Sequence, residues 1–267
     1  SDLFAIPNGT VFHPKDVKGV NVPVAMLQGD YSTFCVYETP ALGLISHASG
    51  IATTAARLKS LLLDRRVLSF GVRRIHPTIS PYVDKYAYIG GCDAVSSLKG
   101  AEIIGERASG TMPHALILMF GDQRKAFRAF DDVIAKEIPR VALVDTLADE
   151  KVEALMAAET IGEGLTGVRL DTHSSRRGRF EEIVAEVRWE LDIRGYKDVK
   201  IAVSGGLNER NILGLKHAGA DIFGIGTSIS NAQSVDFALD IIEIEGRPFA
   251  KRGKFAGRKE PLRCERC

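Results

Sequence analysis

Only four cysteines occur in 267 residues, at positions 35, 92, 264 and 267. They are too few and too unevenly placed for a disulfide framework. Charge of one sign is not in excess either, since 35 basic residues face 34 acidic ones. Such a balance offers no general polyanion-binding surface, so neither nucleic acid nor a membrane surface is expected as a partner. Long hydrophobic runs are missing; Ala115 to Phe120 is far too short to span a bilayer. No charged-then-apolar leader opens the chain, so the expected location is the cytoplasm rather than outside the cell. No Gly-x-Gly-x-x-Gly follows the first strand candidate, which counts against a dinucleotide fold.

What is present is glycine at the ends of apolar runs. Val203-Ser204-Gly205-Gly206 and Gly224-Ile225-Gly226-Thr227-Ser228 each close a short run that reads as a buried parallel strand. Each is followed by a helical pattern. Without a Cβ, backbone N–H groups approach an anion closely, and the next helix adds its positive end. Two such turns on consecutive βα units point to a phosphorylated ligand.

Strand candidates are Val67–Phe70, Ala87–Ile89, Val141–Asp145, Gly167–Asp171, Lys200–Val203 and Asp221–Ile225, with a weaker one at Arg107–Ser109. Helical periodicity fills the gaps at 94–104, 113–136, 148–163, 180–194, 209–217 and 234–241, after a long helix over 38–63. The alternation predicts an α/β fold with a mostly parallel sheet, closed part-way as an incomplete α/β barrel. Residues 1–65, with short strands expected at Thr10–His13 and Val22–Leu27, form a smaller β-rich α/β sandwich lobe plus a linking helix. The barrel spans 66–240, and 241–267 returns to the small lobe.

Active sites of βα barrels lie at the carboxyl ends of the strands. Those ends read Phe70 through His76 (with Arg73 and Arg74), Gly90-Gly91-Cys92-Asp93, Gly110-Thr111-Met112-Pro113-His114, Asp145-Thr146, Arg169-Leu170-Asp171-Thr172, Ser204-Gly205-Gly206 and Gly226-Thr227-Ser228. Asp93, Asp145 and Thr227 suit helix N-caps. Caps do not account for Arg73, Arg169 and His114 at one rim. Cations, carboxylates and amide-rich turns together suit a substrate with several phosphates and a bound Mg²⁺. His114 follows a turn and a proline at a helix start, where it serves as base, nucleophile or structural hydrogen-bonding partner.

In this order, and together with Tyr37-Glu38-Thr39, Gly50-Ile51-Ala52-Thr53 and Ser174-Ser175-Arg176-Arg177-Gly178, the strand ends resemble the type II phosphoribosyltransferases, specifically the archaeal-type nicotinate phosphoribosyltransferases. The resemblance implies transfer of phosphoribose from phosphoribosyl pyrophosphate to nicotinate, giving nicotinate mononucleotide and pyrophosphate. ATP assists as co-substrate by phosphorylating His114, Mg²⁺ is the cofactor, and the route is NAD salvage. It places Phe70 on the pyridine ring and Arg73 on substrate and phosphate, with Gly91 and Asp93 beside the base. Asp171 and Arg169 lie at the ribose and the reacting carbon, next to Thr172. Ser204, Gly205, Gly206, Gly226 and Thr227 form the 5′-phosphate cradle. Arg176 and Arg177 are candidates for nucleotide or pyrophosphate contacts, and Arg74 for the nicotinate carboxylate.

The resemblance also implies a homodimer or higher oligomer. The family's N-terminal Asp-x-Tyr element is not found, and Cys264-x-x-Cys267 supplies half of the ligands a structural Zn²⁺ needs, so the sequence reads as a piece lacking both ends. Quinolinate phosphoribosyltransferase, which uses no ATP, is the alternative, and the Gly-Thr-x-x-His motif is expected to decide against it. A catalytically silent phosphate-binding subunit would keep the cradle but not need Arg73, Asp93, His114 and Asp171. A barrel aldolase or isomerase would place a lysine or an acid pair at these strand ends, and the lysine is missing.

Overall fold

The structure is a computed structural model that describes residues 1–15 and 19–257. It divides into two compact units: Ser1–Gly50 with the chain from Gln233 onward, and Ile51–Ala232. In the first, β1 (Asp2–Ala5) pairs antiparallel with β2 (Ala25–Gln28), Leu3 facing Leu27. Thr10–His13 forms no strand; the Thr10 amide and hydroxyl both donate to Pro7 O, making a turn there. Helix α1 (Glu38–Leu62) runs as expected, through Gly43 and Gly50.

The second unit is built on a six-stranded, all-parallel sheet. Its elements in chain order are β3 (Arg66–Ser69), α2 (Ser80–Ile89), β4 (Ala94–Val95), α3 (Leu98–Ile104), α4 (His114–Phe120), α5 (Gln123–Val133), β5 (Arg140–Leu143), α6 (Glu150–Ile161), β6 (Leu165–Leu170), α7 (Ser174–Arg177), α8 (Phe180–Ile193), β7 (Lys200–Ser204), α9 (Ile212–His217), β8 (Ile222–Ile225) and α10 (Thr227–Ser230). Strand order is β4-β3-β8-β7-β6-β5, a curled half-barrel. The expected α/β class with an incomplete barrel is therefore observed.

Burial on both faces explains why these strands read as unbroken apolar runs. Val67, Val168, Ile201, Val203, Phe223 and Ile225 are buried. Over them lie helix stripes at helical spacing: Ile51, Ala55, Leu58 and Leu62 of α1, and Phe180, Val184, Val187 and Leu191 of α8. Helix α6 instead presents Ala154, Ala157 and Ala158, small residues that let a helix lie close to the sheet.

Four expectations need correction in this unit. Ala87–Ile89 is the end of α2, not a strand: Val83 and Ala87 bury one helical face, and the strand that follows is the two-residue β4. The helix expected over 94–104 starts only at Leu98, capped by Ser97, whose hydroxyl accepts from the Gly100 N–H. The segment 113–136 is two helices, because Gly121 adopts φ +63° and Asp122 caps a new start. Arg107–Ser109 makes no strand, although the Ser109 N–H donates to Val95 O.

Past Ala232 the first unit resumes. The helix expected at 234–241 does not form, and the Val235 N–H donates to Ser46 O instead of entering a helical ladder. Strands β9 (Glu243–Ile244) and β10 (Arg247–Pro248) make a short antiparallel pair. Cys264 and Cys267, with the zinc site proposed for them, lie outside the described residues. Cys35 and Cys92 are free thiols, and burial pushes Cys92 up to about 12.

Candidate active site

The carboxyl ends of β5, β6 and β7 converge on one carboxylate. Asp171, just past β6, accepts the Ser204 hydroxyl on Oδ1 at 2.7 Å and pairs through Oδ2 with Arg169 Nη2 at 3.0 Å. Arg169 also donates from Nε to Ser204 Oγ at 3.0 Å and from Nη1 to Thr111 Oγ1 at 2.7 Å. Its guanidinium carbon stands 5.6 Å from the Phe70 ring centre. Phe70 can lie there because residue 224 is glycine: a Cβ at that position would come within 2.6 Å of the ring.

His114 opens α4 and turns its imidazole to the same place. Its Nδ1 lies 3.1 Å from Thr146 Oγ1, and its Nε2 lies 3.7 Å from Asp171 and 3.9 Å from Asp145. Asp145 is the more deeply buried acid, with a side chain 2% exposed. Its Oδ2 accepts the Asp171 N–H at 3.1 Å, whereas Oδ1 has no hydrogen-bond partner among the described residues. Burial raises the carboxyl to about 6; the neighbouring Asp171 charge adds to the rise and His114 opposes it. Two carboxylates and an imidazole thus share a small volume with one arginine. Such a site favours cationic character in whatever occupies it.

The two glycine turns lie on adjacent strands, tied by the Ser228 hydroxyl donating to Leu207 O at 2.5 Å. The N–H groups of Gly205, Gly206, Gly226 and Thr227 meet no acceptor among the described residues. A set of uncommitted donors at one rim is what an anion requires. Gly205 (φ +83°) has no room for a Cβ, which would fall 2.7 Å from Arg177 Nη2 and 3.0 Å from Asp171 Oδ1. Gly205→Ala should therefore destabilise by about 1–3 kcal/mol through backbone strain alone, and more by displacing Asp171. Urea unfolding checks it; an unchanged midpoint would contradict that geometry.

Several residues expected in the site stand elsewhere. Gly91 and Asp93 precede β4 rather than follow a strand, so they lie at the amino-terminal edge of the sheet. There Asp93 accepts from Lys59 Nζ and from the Val67 N–H, both at 2.7 Å. The misread strand at Ala87–Ile89 is the cause, and Asp93 serves to tie β3 to α1. Thr172 is 2% exposed and donates to Glu150 Oε1, away from the cleft. Arg177 is committed to the Thr172, Ser204 and Gly205 carbonyls and stacks 4.3 Å over Phe180, so it braces the cradle. Arg176 is 60% exposed, 3.9 Å from Glu150. Arg73 and Arg74, by contrast, do follow the carboxyl end of β3, in an exposed 3₁₀ turn, and their side chains have no partner among the described residues. Asp145 and Thr146 were read only as a strand end and an N-cap type. Their signal was the repeated Asp-Thr doublet after β5 and β6, at 145–146 and 171–172. The actual cap of α6 is Asp149.

Residues 51–240 match the family model for the quinolinate phosphoribosyl transferase C-terminal domain, and residues 1–49 match the model for its N-terminal domain. The chain belongs to the quinolinate phosphoribosyltransferase family. A nicotinate phosphoribosyltransferase of Mycobacterium tuberculosis is 31% identical over 259 residues, covering 91% of this chain and 56% of its own length. That of Bacillus subtilis is 30% identical over 227 residues, 83% of this chain and 44% of the relative. The chain thus spans about half the length of the curated relatives it matches. A crystal structure of nicotinate-nucleotide pyrophosphorylase from Pyrococcus furiosus is 56% identical, with a TM-score of 0.90 over 96% of this chain and 64% of that one. Human nicotinic acid phosphoribosyltransferase, at 20% identity and TM-score 0.67, shares the fold.

The family models and the 56% identical structure back the quinolinate branch of the family better than the archaeal nicotinate type. The motif around His114 therefore does not by itself decide the acceptor, contrary to expectation. No helix among the described residues is long and apolar enough to cross a membrane.

Proposed function

We propose that this chain carries the reaction centre of a phosphoribosyltransferase that joins phosphoribose to a pyridine carboxylic acid and releases pyrophosphate. The observation that carries the reading is Asp171, held by Ser204 and by Arg169, whose guanidinium also lies over the Phe70 ring. When pyrophosphate leaves, the ribose carbon becomes oxocarbenium-like. A fixed carboxylate beside it stabilises the positive charge without reorganising at the moment of reaction. Arg73 and Arg74, exposed after β3, would take the departing anion or the acceptor's carboxylate. Phe70 offers the pyridine ring an aromatic surface, and the free N–H groups of Gly205, Gly206, Gly226 and Thr227 take the 5′-phosphate.

Mg²⁺ fits this donor set. It usually keeps several waters and takes one or two carboxylates plus substrate phosphate oxygens. The partnerless Oδ1 of Asp145 is the atom left to face it. When bound, Mg²⁺ would supply charge neutralisation for pyrophosphate.

For the acceptor we favour nicotinate with ATP as co-substrate in NAD salvage, supported by His114 in reach of two carboxylates. A ring nitrogen of His114 would attack the γ-phosphorus of ATP, forming an N–P bond as the bridging P–O bond breaks and ADP leaves. His114→Ala is then expected to abolish ATP stimulation while leaving residual transferase activity; product formation with and without ATP measures it. Unchanged stimulation would refute the role. Quinolinate is the second reading, favoured by the family models and the 56% identical structure. Reaching a nicotinate nucleotide from that dicarboxylate requires loss of one carboxylate as CO₂ and no ATP. A homodimer, an enzyme complete only with a partner subunit, is proposed alongside either reading.

A further inference from the structure

Glu153 lies on α6, fully buried, at a position the chemistry above does not use. Its two carboxylate oxygens accept three successive backbone N–H groups: Thr146 at 2.9 Å, and Leu147 and Ala148 at 2.6 Å each. Those amides are the turn that leaves β5, and they have no other acceptor among the described residues. A buried carboxylate that accepts three successive backbone donors fixes the turn, and losing it would leave those donors without their protein acceptor. The turn carries both neighbours of the imidazole: Asp145, whose oxygen lies 3.9 Å from Nε2, and Thr146, whose hydroxyl lies 3.1 Å from Nδ1.

We infer that Glu153 and Thr146 are positioning residues that lock His114 in one orientation and one tautomer. With the Nδ1 proton donated to Thr146 Oγ1, the lone pair of Nε2 stays free to take a phosphoryl group. Gln in place of Glu153 would turn an NH₂ group toward at least one of the three amide donors. The turn would reopen, and with it the hydrogen bond to His114. The importance of the lock for turnover rests on the reading of His114 as the phosphoryl-accepting group; the lock itself does not.

Thr146→Val keeps the side-chain shape without the hydroxyl, and Thr146→Ser keeps the hydroxyl. Two-bond ¹H–¹⁵N spectra of the imidazole on the full-length protein report the tautomer directly. The parent and Thr146→Ser should show His114 as one tautomer, with the proton on Nδ1. Thr146→Val and Glu153→Gln should show averaged nitrogen shifts, with ATP stimulation reduced roughly tenfold or more, as loss of one oriented hydrogen bond allows. Circular dichroism identifies a variant that fails to fold, and Thr146→Val alone then carries the test. An identical tautomer pattern in the parent and Thr146→Val overturns the inference. If His114→Ala leaves ATP stimulation intact, the phosphoryl role fails while the tautomer result still stands on its own.

Discussion

Asp171→Asn lowers turnover by about 10²–10³-fold, the range observed for removing one preorganised group that stabilises developing charge. The substitution keeps size and leaves an oxygen to accept from Ser204, so the fold is expected to persist. What disappears is the negative charge 3.0 Å from Arg169 and 3.7 Å from His114. The binding constant for phosphoribosyl pyrophosphate should change little, or tighten, because a negative group near the pyrophosphate has gone. Steady-state kinetics separate the two: a fall in kcat without a rise in KM fits, and a near-normal kcat rules out charge stabilisation by Asp171.

Arg169→Lys is the second large effect. A lysine keeps the charge, but one ammonium cannot reproduce the fork that reaches Ser204, Thr111 and Asp171 together while lying over Phe70. Asp171 would lose the partner that fixes its position, and misplacement of a reacting group by about 1 Å costs on the order of 10²-fold in rate. We expect kcat/KM to fall by about that factor. Two hydrogen bonds lost at roughly 0.5–1.5 kcal/mol each should lower stability by about 1–3 kcal/mol. Kinetics and urea unfolding on the same preparation read both. A lysine variant with parental kinetics would mean that the fork is structural decoration around a site held by other means.

The sheet was legible where strands are buried on both faces. Lys200–Ser204 and Ile222–Ile225 are continuous apolar runs ended by glycine, and they appear within a residue of where the sequence placed them. The run at Gly167–Asp171 likewise put Asp171 at the carboxyl end of a strand. Reading failed where an apolar run was short enough to suit either period. Tyr86-Ala87-Tyr88-Ile89 alternates as a strand would, yet Val83 and Ala87, four apart, bury a helix face. That single misreading carried Gly91 and Asp93 to the wrong end of the sheet. Strand β4, two residues long, has too little periodicity to be seen at all. Glu153 escaped for a different reason. A carboxylate on an amphipathic helix reads as a solvated face, and only the three-dimensional turn shows that it is buried under backbone donors. The commitments of Thr172 and Arg177 were equally invisible, because partners 22 and 28 residues away leave no local signature.

The most direct test of the central claim is to incubate the full-length polypeptide with phosphoribosyl pyrophosphate, Mg²⁺ and either nicotinate or quinolinate, with and without ATP, and quantify nucleotide and pyrophosphate. Equimolar pyridine nucleotide and pyrophosphate, lost in Asp171→Asn, is the predicted result; the acceptor that supports it, and its response to ATP, chooses between nicotinate and quinolinate. Pyrophosphate release from neither acid, or release at the same rate in Asp171→Asn, would contradict phosphoribosyl transfer at this site.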